Sequence, residues 1–235
     1  MLASSAYKVA LSMVPATVET LIDGGYSLCA MFAVRMTNDA ARPTIAFATQ
    51  TIAPNMLIEW MPDVMAYTSN DPMVSGGPIR PGYQTPITQG QTFFVTIGGA
   101  GDVKAGGPLS KMTIANTTST SFTSGFARSS SVSEAPTPIY AVPLYGNQTN
   151  VAVPLPKILL LFTTANLKPG EMVESLAMSF LPAASYSSSL LVTASQPQVR
   201  ELSYDINAGW NWGSYSWAEL VPAGDDLAKV LIERE

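Results

Sequence analysis

Histidine is absent from all 235 residues of the chain. That absence removes His-based catalytic triads, His-assisted cysteine nucleophiles and the usual His-containing zinc sites together. A lone cysteine, Cys29, leaves no internal disulfide framework, and its apolar surroundings mark it as a small buried hydrophobe. Charge is scarce: Asp, Glu, Lys and Arg make up 12% of the chain, about half the usual share. The 12 basic residues never form a run and the net charge is −5, so the electrostatic footprint of nucleic-acid binding is missing and no direct nucleic-acid partner is expected. No stretch approaches the ~20 apolar residues of a spanning helix; the densest is "KILLLF" at Lys157–Phe162. The opening "MLASSAYKVALSMVPA" lacks a basic segment followed by an unbroken apolar one, so no signal peptide is read there. A soluble protein with no membrane span is expected, and no compartment is indicated.

Motifs with chemistry are equally thin. "GWNWGSYSW" sets serines beside glycines without the G-x-S-x-G spacing of a nucleophile elbow. "GGAGDVKAGG" is Gly-rich like a phosphate loop, but Lys104 is followed by Ala105 rather than Ser or Thr, and a hairpin loop explains it better. Acidic residues are dispersed and follow no calcium-loop pattern. Glu59 and Asp63 flank Trp60, and a carboxyl group against an aromatic wall can have a raised pKa. A strand with an outward Glu59 and a turn at Pro62–Asp63 explains the same letters. No catalytic residue, metal ligand or cofactor is assigned, and a non-enzymatic protein is expected.

What the chain does have is turns and short apolar runs. Gly-, Pro- and Asn-rich clusters recur at Asp23, Asn70, Ser75, Gly98, Tyr145 and Lys168, with runs of strand length between them. "YSLCAMFAVRM" (Tyr26–Met36) and "KILLLF" are apolar on both faces and predict central strands. A dozen such runs, with eighteen prolines confining the chain to turns and edges, predict one all-β domain over residues 1–235: an antiparallel, jelly-roll-like β-sandwich with long loops. Only the tail "GDDLAKVLIERE" reads as helix, with Leu227, Val230 and Leu231 on the face that docks on the sheet and Asp225 as its cap. The Ser/Thr-rich stretch Asn116–Pro138 reads as a surface excursion anchored by Phe122 and Phe126.

The candidate site is aromatic. "GWNWGSYSW" packs Trp210, Trp212, Tyr215 and Trp217 into eight positions, and Trp60 with Tyr67 forms a second group. If the segment is extended, Trp210 and Trp212 share a side. Buried indoles two residues apart would each need a partner for their N–H, whereas exposed rings at that spacing can stack on the flat faces of sugars. The same rings would also serve to seal one end of a sandwich. Two functions fit: a lectin-like recognition protein that binds carbohydrate or a small ligand through these rings, and a self-assembling shell or coat protein. The low-charge, Pro- and Thr-rich composition suits a homo-oligomer.

Overall fold

The computed structural model describes residues 5–133, 135–175 and 189–235. Strands account for 51% of the described residues and helices for 8%, so the fold is all-β and sandwich-like, as the turn spacing predicts. Three sheets share the strands. The largest contains β2 (Ser27–Met36), β4 (Phe47–Thr49), β8 (Gln91–Val95), β9 (Gly101–Ala105), β10 (Met112–Asn116), β14 (Thr149–Thr163), β15 (Ser189–Thr193), β18 (Ala218–Val221) and β19 (Ile232–Arg234). A four-stranded sheet, in the order β17-β16-β1-β5, is built from β1 (Tyr7–Ser12), β5 (Asn55–Trp60), β16 (Val199–Asp205) and β17 (Gly209–Asn211). The third holds β3 (Arg42–Pro43), β6 (Val64–Ser69), β7 (Tyr83–Ile87), β11 (Phe122–Arg128), β12 (Thr137–Pro138) and β13 (Tyr140–Leu144). Pairing is mostly antiparallel, as expected, and β1 with β16, β8 with β10 and β19 with β2 run parallel.

The pair β2–β14 forms the spine, and the two-residue side-chain period explains why both of its faces are apolar. Leu28, Ala30, Phe32 and Val34, with Ile158, Leu160 and Phe162, belong to the main core against the other two sheets. Cys29, Met31 and Ala33, with Leu159 and Leu161, point the opposite way into a second core that includes Leu227 and Leu231 of the C-terminal helix α2 (Leu227–Leu231). The helix therefore docks its apolar stripe as expected. Its cap is Asp226 rather than Asp225, accepting the Ala228 N–H at 3.0 Å. After one turn the chain straightens into β19, and Glu233 there pairs with Arg35 and Lys157 rather than with the helix. The Cys29 thiol, shut in by these layers, is pushed up to about 12 by burial and then by the charge of Glu171, so it is an inert packing group.

Several elements differ from expectation. Pro15–Asp23 is a helix, α1, begun by proline at its first turn and burying Thr17, Val18 and Leu21. The Ser/Thr-rich stretch is a surface excursion only at its two ends: Phe122 and Phe126 anchor it as expected, but they belong to a strand, β11, that is buried at every residue. Gly125 makes that burial work: a Cβ there would lie 2.3 Å from the Tyr140 carbonyl oxygen. Val151–Val153 and Lys157–Phe162 belong to one fifteen-residue strand, β14, whose pairing with β2 slips between Pro154 and Ile158. The run Met172–Phe180 has the length of a strand in sequence; Met172 makes an isolated bridge to Thr44, and the positions from 176 onward lie outside the described residues. No helix among the described residues is long and apolar enough to cross a membrane.

Candidate functional site

Strand β16 shows how the site is assembled. In "VRELSYD", Leu202 and Tyr204 face the core while Val199, Glu201 and Ser203 face outward. The strand ends at Asp205, whose carboxylate accepts the backbone N–H of Asn207 (2.9 Å) and Ala208 (3.0 Å) and the Thr17 hydroxyl (3.1 Å). These bonds hold the carboxyl below its ordinary range, the two backbone N–H groups first. They also fix the hairpin into β17, which sets Trp210 directly across from Tyr204.

From that register Trp210 points inward. It is buried, stacked on Phe162 at 5.6 Å with 18° between the planes, and 4.9 Å from Tyr204. The extended geometry that would carry Trp212 to the same side does not continue. Asn211 Oδ1 accepts the Gly213 N–H at 3.0 Å, and Gly213 and Ser214 take left-handed φ values of 70° and 59°. The chain reverses, and the Trp212 indole N–H donates across the turn to the Tyr215 carbonyl at 2.9 Å. Tyr215, 63% exposed, lies near-parallel to Trp217 with 6.1 Å between centroids. The Arg200 guanidinium sits 5.0 Å from the Trp217 ring centre and is itself tied to the Thr193 carbonyl and the Ser195 hydroxyl.

Trp212, Tyr215 and Trp217 thus rim a groove of about 440 Å³ whose floor is the outer face of the four-stranded sheet. Across that floor Asn55, Ser12, Ser203 and Asn211 stand in register on four adjacent strands. Three of them, Ser12, Ser203 and Asn211, line the groove with Glu201. Arg200, Glu201 and the two serines were not singled out from sequence; the alternation in "VRELSYD" was the available signal for the outward set.

The remaining expected site residues lie elsewhere and are corrected. Trp60 is 2% exposed, wedged between Tyr7 (5.6 Å) and Phe32 (5.3 Å). Tyr67 is fully buried, donating its hydroxyl to the Tyr140 carbonyl at 2.8 Å, and burial pushes its pKa well up. Neither ring can stack on a ligand, nor can Trp210. Each sits at an inward position of its strand, where the pleat sends large apolar groups to the core. Glu59, on the outward face, pairs with Lys8 at 2.6 Å. Asn116, in a glycosylation-like triplet, is buried with its amide bonded to the Thr120 and Tyr145 carbonyls, so it latches loops together. Among the described residues no three carboxylates or thiols converge as metal ligands.

Burial also isolates one cation. Arg128 is 4% exposed, and its pKa is lowered to about 10, chiefly by burial, with Tyr7 and Asp63 acting in the opposite sense. It remains charged at neutral pH. Comparison of the chain with family models, curated proteins and solved structures returns no match, so the site is read on its own chemistry.

Proposed function

We propose that the protein is a non-enzymatic recognition module that binds carbohydrate in the groove between the 211–217 turn and the outer face of β16. One observation carries this reading: Tyr215 stands largely exposed beside Trp212 and Trp217, next to a row of hydroxyl and amide side chains. Aromatic faces stack on the apolar C–H faces of sugars, and neighbouring hydroxyl, amide and carboxylate groups satisfy the sugar hydroxyls, which fixes orientation. The proposal assigns binding only. A glycan array probed with the whole chain tests it. Tyr215→Ala should weaken capture of the bound glycans roughly 30-fold, the scale of an aromatic hot spot of ~2 kcal/mol. An array without any bound glycan, or equal binding by Tyr215→Ala, would contradict the reading.

A self-assembling shell is the second reading, favoured by Ile97 and Leu109, which are 91% and 92% exposed on loops at opposite ends of the β8–β9 hairpin. Single exposed apolar side chains on low-charge loops suit contacts between copies. Solution mass separates the two: a particle of dozens of copies favours the shell, and a monomer or dimer favours recognition.

A further inference from the structure

A second cavity, of about 410 Å³, opens where the three sheets meet. Tyr7 reaches it from the four-stranded sheet, Ile87 and Arg128 from the six-stranded sheet, and Met112 and Pro154 from the nine-stranded sheet. The local sequence of β14 creates the opening. In "VPLPK" the two prolines, Pro154 and Pro156, have no N–H to donate, and four residue steps from Pro154 to Ile158 oppose only two on β2, from Val34 to Phe32. The pairing with β2 slips beside Phe32, and the Arg128 guanidinium lies 5.0 Å over the Phe32 ring.

Arg128 differs from Arg200, which also stands over a ring but donates to the Thr193 carbonyl and the Ser195 hydroxyl, and from three arginines that have charged partners. Arg35, Arg42 and Arg80 each face a carboxylate, from Glu233, Glu174 and Asp71. Arg128 has only a 3.4 Å contact from Nη2 to the Pro62 carbonyl, while its buried Nε and Nη1 have no hydrogen-bond partner. A face-on ring offsets only part of the cost of burying a guanidinium whose donors are unpaired. Nε and Nη1 are closed to solvent, so an oxyanion in the cavity meets them when the side chain turns toward it, and a guanidinium in a cavity wall is complementary to such a group in charge and in donors.

We propose that this cavity binds a small organic monoanion, a carboxylate on an apolar body, with Arg128 donating to the carboxylate. The body follows from Ile87, Met112 and the two prolines, which share the lining with the polar Thr88, Gln89 and Asp63, and from a volume in the range of small-molecule sites rather than of a bare ion. The single charge follows from Asp63, which lines the same cavity and repels a dianion more than a monoanion. This site is separate from the aromatic groove and does not depend on the carbohydrate reading.

Calorimetric titration and thermal melts of the whole chain with octanoate, octan-1-ol and inorganic phosphate test it. Octanoate should bind and raise the melting midpoint, with octan-1-ol and phosphate each at least roughly tenfold weaker, since the alcohol lacks the charge and phosphate lacks the body. Arg128→Met should lose octanoate affinity by roughly tenfold or more while melting, without ligand, at or above the parent midpoint, because it removes a buried charge whose Nε and Nη1 donors are unpaired. Should that variant fail to fold, Arg128→Lys keeps the charge but not the fork of donors, and its octanoate affinity should still fall severalfold. The proposal is overturned by a parent chain indifferent to octanoate, by equal binding of phosphate or octan-1-ol, or by variants that bind octanoate as the parent does.

Discussion

Trp210 and Trp212 stand two residues apart in one hairpin and meet different surroundings. Trp210 is clamped between Phe162 of the central sheet and Tyr204 of its own. Trp212, partly buried against the edge of the main core, rims a surface groove and donates its indole N–H to the Tyr215 carbonyl. Composition does not separate them; the backbone between them does. The register with β16 aims the first ring inward, and the left-handed pair Gly213–Ser214 ends the strand before the second can follow. A run of aromatic residues is therefore not a unit of function: the turn divides it into a structural half and an accessible half.

The structural half is broken most severely at Phe162, which both Tyr204 and Trp210 pack against. Phe162→Ala should cost about 3–5 kcal/mol by cavity formation, read as a lower denaturant midpoint with little change in slope. Carbohydrate binding per folded molecule should survive, because the groove residues do not line that space. The turn itself is sharpened by Gly213→Ala. The added methyl would take a left-handed φ and lie 2.9 Å from the Tyr215 ring, so the variant should lose about 1 kcal/mol and displace Tyr215, and glycan affinity should fall more than stability does.

The smallest effect concerns Asp205, which anchors the hairpin that delivers both tryptophans. Its folded-state pKa is depressed, so its contribution is present above the ordinary carboxylate pKa and is lost as pH falls through the lower folded value. The chain should lose part of its stability in that acid window, and Asp205→Asn should flatten the loss. Melting midpoints across the acid range for the parent and Asp205→Asn check this, and parallel curves would contradict it.

How much of this was legible in the sequence follows the same division. The spine was plain because apolar residues on both faces can only be buried twice over, and the pleat sorts Phe32 and Met31 into separate cores. The strand β11 was hidden because "FTSGFAR" has the letters of a loop; its burial depends on Gly125 meeting Tyr140, a contact from a remote segment. Helix α1 was hidden because only Val18 and Leu21 mark its apolar side. The groove was half legible. The aromatic density pointed to the right stretch, but the parity argument assumed an extended chain, and "NWGS" carried the turn signal that overrides it. Arg128 was illegible, since its surroundings come from residues near positions 7, 63 and 154 and a lone arginine in sequence says nothing of what faces it.

Thermal melts of Trp210→Ala and Trp212→Ala, run side by side, test the division most directly. Loss of the clamped ring should remove about 3–5 kcal/mol, a midpoint lower by roughly 6–20 °C for a chain of this size. Loss of the half-exposed ring should move the midpoint by no more than about 4 °C. Equal large drops in both variants would return Trp212 to the core, and a Trp210→Ala variant that melts like the parent would contradict the account from the other side.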